Sequence, residues 1–351
     1  MRLPPGLDLR LSKHRILLSA SLVGLALIIG LLLYGTFFGE IPTQNPVQLE
    51  ITDATLSQLS NGTITSAVSV RNSGTQTVSV TGRFDNFFIP PLKFTPSIIG
   101  PGEFSKGVAS ASWAVAQFDG KSGYLEVQNS ASLNPSVFTV EIAFRYNSFT
   151  PDQQMITGKG SSGGDAFYFY TYRSANNIND FVIYANNTRY DHSLGNIFVI
   201  GKWYDVAFVV DGTSISAYVD GQFSNRWVEP LTFGGNSVNL TVGNCLCGGY
   251  FFNGSIAYER LYDTALSSTD IRQNYNSTSP LTNGLVMWLS PNNTEGKTVA
   301  DLSGRGNDAS VHGMVSLLPP TIPCDTYVLT LVATNTDGAQ NSISRGIRLN
   351  C

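Results

Sequence analysis

The sequence predicts a mainly β protein behind one N-terminal apolar helix, and three observations carry that prediction. Beyond residue 45, short stretches alternate apolar and polar residues between Gly, Asn and Asp turn signals. Charge is sparse, with Asp, Glu, Lys and Arg at 13% of 351 residues, while Gly is plentiful at 34. One run, residues 16–38, is long and uncharged. A chain of this length is more readily two domains than one.

The apolar run comes first in the chain. Its 23 residues are mostly Leu, Ile, Ala and Gly, and a bilayer core takes about 20 helical residues, so it is long enough to cross. Arg2, Arg10, Lys13 and Arg15 precede it and Glu40 follows, which predicts a cytoplasmic leader over 1–15 and an exported remainder. The run exceeds the roughly 7–15-residue core of a cleaved secretory signal, and no Ala-x-Ala-like site follows it. An uncleaved anchor or a pilin-type helix is therefore preferred to a removed signal. Ser19, Ala20, Gly24, Ala26 and Gly30 are small enough to let such helices approach closely. Six Asn-x-Ser/Thr sequons, at Asn61, Asn186, Asn239, Asn253, Asn276 and Asn292, all lie beyond the run, as a glycosylated exterior requires. The net charge of −4, with no basic cluster outside the N-terminus, argues against nucleic acid as a partner.

Next come VQLEITDATLS (47–57), TITSAVSVRNSG (63–74) and TVSVTGRFDNFF (77–88), which read as half-buried antiparallel strands. At the far end, TYVLTLVATNTDG (326–338) and AQNSISRGIRLN (339–350) form a hairpin about Asp337-Gly338. Counting outward from a two-residue turn pairs Thr336 with Ala339 and finally Cys324 with Cys351. Directly opposed residues sit about 4.5–5.5 Å apart at Cα, inside disulfide reach. A Cys324–Cys351 bond is expected, with a bulge or distorted strand end, because the plain count puts the pair at a hydrogen-bonded position. Cys245 and Cys247 share one strand face and stay open between a local disulfide, a bond to another chain and buried thiols.

The phrase VSVRNSGTQTVSVTG, then IIGPGEFSKG, resembles the β-sandwich of archaeal type IV pilin-like proteins, where a strand of the form YTVTVTATxxDG and a last strand follow closely. Here more than 200 residues separate Gly107 from Thr326. A compact domain does not hold a structureless loop of that size. The resemblance thus implies an Ig-like antiparallel β-sandwich made of 45–107 and 320–351, interrupted by a domain whose ends lie close together. Pilin precursors are cut just before the helix, where Lys13-His14-Arg15-Ile16 stands; the usual small residue before the cut and Glu after it are missing.

Within the interruption, WYDVAFVVDGTSISAYVDGQ (203–222) reads as a meander. Strands Tyr204–Val210 and Ser214–Val219 are joined at Asp211-Gly212 and the chain turns again at Asp220-Gly221. Together with AVAQFDGKSGYLEVQNSASLNPSVFTVEIAFRY (114–146), GDAFYFYTY (164–172), DFVIYANN (180–187) and GSIAYERLYDTALSSTDI (254–271), it resembles the LamG-like concanavalin A-type jelly roll. That family is used mostly to bind sugars or proteins. GLVMWLSPNNTEGKTVADLSGRGNDASVHG (284–313) looks like the phrase that opens such domains, yet it comes last. The resemblance implies a two-sheet, circularly permuted jelly roll over 108–318, with a short helix after its closing strand.

Sugar binding needs aromatic faces and hydrogen-bonding edges. Tyr168, Tyr170, Tyr172, Tyr184, Tyr190 and Trp227 are the candidates, and period-two spacing puts 168, 170 and 172 on one strand face opposite Phe167 and Phe169. That face is either a binding surface or a tyrosine-lined core edge. Asp301, Ser303, Gly304, Asn307 and Asp308 crowd oxygens into a glycine loop. The family resemblance implies structural Ca2+ there; an Asx turn uses the same residues.

For catalysis, no Glu-x-Asp-x-Glu pair of the retaining-glycosidase kind occurs. Glu259 and Asp263 share a strand face by spacing, Glu126 and Glu141 stand alone, and all four read as solvated carboxylates. His14, His192 and His312 are too scattered for a triad or a zinc site. The expectation is an exported, non-enzymatic surface protein, at the cell membrane or in an extracellular filament. It binds surface glycans or proteins through its jelly roll, as an adhesin or pilin-like filament subunit. A monomeric single-pass receptor or solute-capture protein is the first alternative, and a surface glycoside hydrolase the last.

Overall fold

The computed structural model describes residues 46–351 apart from 151–152, 161–164, 173–177, 186 and 246–247. The basic leader and the apolar run, and with them the membrane and filament expectations, lie outside the described residues. Among the described ones, no helix is long and apolar enough to cross a membrane.

The fold opens with β1 (Leu49–Gln58), β2 (Ile64–Asn72), β3 (Val78–Phe84), β4 (Lys93–Thr95), β5 (Ile98–Ile99) and β6 (Phe104–Ala111). A long excursion follows: β7 (Val115–Asp119), β8 (Tyr124–Val127), β9 (Phe138–Tyr146), β10 (Gln153–Lys159), β11 (Ala166–Tyr172), β12 (Ile178–Ala185), β13 (Thr188–Ser193) and β14 (Trp203–Val210). It continues with β15 (Ser214–Val219), β16 (Gln222–Val228), β17 (Leu240–Val242), β18 (Asn253–Tyr262) and helix α1 (Ser268–Tyr275). Then come β19 (Leu285–Glu295), β20 (Thr298–Asp301), β21 (Ala309–His312) and β22 (Val315–Leu318), before β23 (Thr326–Asn335) and β24 (Gln340–Arg348).

Two four-stranded sheets, β1-β2-β6-β4 and β24-β23-β3-β5, share one core. Strand β2 shows why: its buried residues alternate with half-exposed ones, so Ile64, Val68 and Val70 turn inward. They meet Val78 and Val80 of β3 and Leu329 and Leu331 of β23. The late strand β23 pairs directly with the early β3, from Leu329 opposite Phe84 to Asn335 opposite Val78.

The last hairpin departs from the two-residue count. Asn335 N–H bonds Ala339 O, Gly338 takes φ +81°, and the Asn335 side-chain oxygen accepts from the N–H groups of Asp337 and Ala339. The loop is therefore three residues, Thr336-Asp337-Gly338, and the register runs from Thr334 opposite Gln340 to Thr326 opposite Arg348. Cys324 and Cys351 are bonded all the same, with Cα atoms 6.0 Å apart. Both lie past the paired strands, where no ladder dictates their facing. Replacing both by Ser is expected to lower the unfolding free energy by about 3 kcal/mol, given a closed loop of 27 residues. A denaturant melt showing no loss would contradict that. Cys245 is disulfide-bonded as well.

Strands β7 to β22 make one hydrogen-bonded sheet that folds back on itself. Phe181 of β12 stacks on Phe208 of β14 at 4.0 Å, and Phe169 of β11 meets Phe144 of β9 edge-on at 5.5 Å. These inward rings give the two-layered, jelly-roll arrangement. Asp220 and Gly221 both have positive φ, as a two-residue type I′ turn between β15 and β16 demands. At the preceding turn the central residues are Gly212 and Thr213 instead, and Asp211 accepts the N–H groups of Thr213 and Ser214. A capping box between Ser267 and Asp270 starts α1. Strand β19 pairs with β18, and β21 with β8, so the late phrase is built into the same sheet.

Where the two sheet systems meet, Phe88 packs against Trp203 and Trp113 with ring centroids 4.9 and 5.3 Å away, and Phe87 against Tyr258 at 5.7 Å. Trp203 Nε1 and Arg145 Nη1 both donate to Thr321 O, at 3.1 and 2.9 Å.

Candidate functional site

Strand β11 sends Phe167 and Phe169 into the main core and presents Tyr168 and Tyr170 on its other face. Across the ladders, Tyr168 stands opposite Gly158 and Val182, and Tyr170 opposite Met155. A Cβ on Gly158 would come within 2.6 Å of the Tyr168 ring, so this glycine leaves the ring its place. Asn187 takes φ +61° in the turn after β12, which pairs Ala185 with Thr188 and hence Tyr184 with Arg189. Tyr168, Tyr170, Tyr184 and Arg189 gather with Met155 and Val182 around a cleft of about 160 Å³. That is small against the roughly 300–1,000 Å³ typical of ligand pockets, so it suits one end of a ligand.

Arg189 holds the rim together. Its Nε and Nη2 donate to Asp191 Oδ1 at 2.9 and 2.6 Å, its Nη2 to Tyr170 Oη at 2.8 Å and its Nη1 to Tyr184 Oη at 3.4 Å. The hydrogen bond to Asp191 keeps the guanidinium pKa above its ordinary value. The cleft therefore carries this cation only as half of a neutral pair. Tyr168 and Tyr184 meet edge to face, 6.1 Å apart at 87°. Tyr168 is 7% exposed, and its hydroxyl has no hydrogen-bond partner among the described residues. Burial, helped by Tyr184, pushes its pKa up to about 12, so it is a neutral donor at physiological pH. An unsatisfied buried hydroxyl costs about 1–3 kcal/mol, which a ligand acceptor would offset.

Of the residues expected at the site, Tyr168, Tyr170 and Tyr184 come together and Trp227 does not. Trp227 lies on β16, its ring 4.8 Å from that of His192, and packs on the main core, as Tyr190 does. Tyr172 continues β11 opposite Gln153 and Ile178. Sequence reasoning missed Arg189 and Asp191. The signal for them was Asn187, a turn residue with positive φ from which residues 188–193 fold back along β12.

The loop expected to hold calcium is organised otherwise. Asp301 Oδ1 accepts the N–H groups of Trp288 and Ser303, and Oδ2 accepts the Ser303 hydroxyl and the Asn307 N–H. Asp308 accepts from the Asp301 N–H, while the buried Asn307 amide is bonded to Ser130, Ser132 and Val286. These bonds make an Asx turn of the loop around the Asp301 carboxylate. Among the described residues, no cluster of three His, Cys, Asp or Glu is placed to hold a metal.

Of the four lone acids, Glu141 and Glu259 are not solvated. Strand β18 ends at Tyr262, so Asp263 lies just past the strand and is exposed, while Glu259 within it is buried. Thr157 Oγ1 donates to Glu259 Oε1 at 2.7 Å, and burial pushes this carboxyl up to about 8. Glu141 is buried with Arg260 at 3.4 Å and Asn274 at 3.0 Å. Asp205 accepts from the Tyr258 hydroxyl, and burial pushes it up to about 8. Glu126 is half-buried between Asn239 and His312.

Exposure separates the sequons. Asn61 and Asn292 are exposed, whereas Asn239 Nδ2 donates to Glu126 and Asn253 Nδ2 to Thr150 O. Asn276 is half-buried at the end of α1, and Asn186 lies outside the described residues. In a glycosylating host, peptide mapping is expected to find glycans on Asn61 and Asn292 and none on Asn239. A modified Asn239 would show that its bond to Glu126 does not persist.

Residues 119–272 match the laminin G family model Laminin_G_3, of the concanavalin A-like lectin/glucanases superfamily, and carry that jelly roll. No curated protein matches the chain. Among solved structures, a putative carbohydrate binding protein from Bacteroides ovatus is similar at 15% identity and a TM-score of 0.48, over 74% of this chain and 94% of that one. The heptameric SAP-like pentraxin of Limulus polyphemus is similar at 16% and 0.42, over 59% and 95%. Domain 4 of AbnA, an extracellular arabinanase of Geobacillus stearothermophilus, in complex with arabinotriose, is similar at 16% and 0.39, over 57% and 96%.

Proposed function

We propose that this chain is a surface-displayed glycan-binding protein whose jelly roll takes one uncharged sugar unit in the tyrosine cleft. The observation that carries the reading is the Tyr168 hydroxyl, buried and unpaired in a cleft walled by aromatic rings. Aromatic faces suit the C–H side of a sugar ring, and the hydroxyl suits its polar edge. Because Arg189 is already matched by Asp191, an anionic sugar finds no unpaired cation among these cleft residues. The match to a lectin superfamily over residues 119–272 supports the same class.

Tyr168→Phe tests this directly, since it keeps the ring and removes only the oxygen. Affinity for neutral glycans is expected to fall about tenfold, the equivalent of about 1.4 kcal/mol, while thermal stability holds or rises. Unchanged binding would sink the assignment. Display outside the cell, as an adhesin or pilin-like filament subunit, rests on the apolar run 16–38, its basic flank and the sequons beyond it. Mass spectrometry of the mature N-terminus tests that half. A chain beginning near Ile16 and found in sheared surface material supports the filament, and an intact leader retained in membranes supports the anchored receptor.

A further inference from the structure

A second groove, of about 300 Å³, opens where β6 leaves the first sheet pair and β19 runs through the second. It is nearly twice the volume of the tyrosine cleft and of a different character. Trp113 and Trp288 line it along with Ser290, Thr278 and Asn293, and none of its lining residues is charged.

Both indoles are half-exposed and fixed in place. Trp113 Nε1 donates to Phe88 O at 2.9 Å, and its ring meets Phe88 edge-on. Trp288 is tied through its backbone N–H to Asp301, and the Arg260 guanidinium lies 5.8 Å from its ring. Ser290 is only 4% exposed, yet its hydroxyl makes no hydrogen bond among the described residues. The side chains of Thr278 and Asn293 make none either. All three side chains line the groove, where a ligand can take the place of water at them.

Two half-exposed indoles, hydroxyl and amide groups lining the same groove, and no charge are together the chemistry that receives a neutral sugar. We propose that the junction groove is a second glycan site, specific for uncharged saccharides, built jointly by the two sheet systems. It does not depend on the tyrosine cleft, and the two are separable in experiment. No tryptophan lines the tyrosine cleft, whereas Trp113 and Trp288 line the groove, so a tryptophan response that a groove substitution removes reports on the groove.

The test uses the full chain, made in a host that adds no N-glycan so that Asn292 in the groove wall stays bare, in a detergent without a sugar head group. It is titrated with neutral hexoses, N-acetylhexosamines and their disaccharides. At least one is expected to shift tryptophan emission saturably. Asn293→Arg, at an exposed position that fills the groove without disturbing the core, is expected to weaken that response about tenfold or more. Ser290→Ala, which removes a hydroxyl that holds nothing in the fold, is expected to weaken it about fivefold. Tyr168→Phe is expected to leave it unchanged. The proposal is overturned if no neutral saccharide moves the emission, or if the shift survives Asn293→Arg. It is also overturned if binding is lost in Tyr168→Phe but kept in Asn293→Arg, a result that assigns the sugar to the tyrosine cleft alone.

Discussion

Unfolding free energy is expected to fall as pH rises from about 4.5 towards 8, and Glu259→Gln is expected to remove a large part of that fall. The Glu259 carboxyl is 1% exposed, and among the described residues one oxygen receives only the Thr157 hydroxyl and the other has no partner. Burial therefore favours the protonated form and pushes the folded pKa up to about 8, against an ordinary 4.5. Below the ordinary value both states hold the proton and the group is neutral towards stability. Between the two values the unfolded chain releases its proton while the folded chain keeps it, so the unfolded state gains. Each pH unit there removes about 1.4 kcal/mol, and the whole window removes on the order of 4–5 kcal/mol. Asp205, also pushed up to about 8, adds a slope of the same sign. The difference between wild-type and Gln stability curves, measured by denaturant melts across pH 4–9, isolates Glu259. Parallel curves would show that this carboxyl is ionised in the folded protein.

Phe88→Ala is expected to lower stability by about 3–5 kcal/mol, in the range for deleting a fully buried phenylalanine ring. Phe88 has no exposed surface and touches Trp113, Trp203 and Phe87 at the meeting of the two sheet systems. Because the cavity would open in a core that both share, tryptophan emission and far-UV circular dichroism are expected to lose their midpoints together. A loss below about 1 kcal/mol would mean that the junction closes around the hole. Two separate transitions, only one of them shifted, would mean that the junction does not couple its two sides.

Much of the fold was legible because its causes are local. Period-two burial marked β2, and Asp220-Gly221 marked its own turn, since few other residues accept positive φ there. The Cys324–Cys351 bond was foreseen although the hairpin register behind it was off by one residue: Asn335 draws two N–H groups to its side chain and lengthens the loop. The tyrosine face was legible as a face and ambiguous as a site. Its partner Arg189 comes from the far side of a turn, and Trp227, similar in composition, was carried to another part of the core.

Dihedral preference and side-chain alternation are properties of neighbours along the chain, and so the sequence by itself determined a β architecture with its turns, its apolar run and its aromatic strand. Burial, pairing and unmet hydrogen bonds depend on residues brought together from far apart. Only the tertiary structure decided that Glu259 is an interior acid, that Asp301 organises a turn, and that the Tyr168 hydroxyl has no partner among the described residues. A hydroxyl reads the same in any strand. Whether it is satisfied is settled by what packs around it.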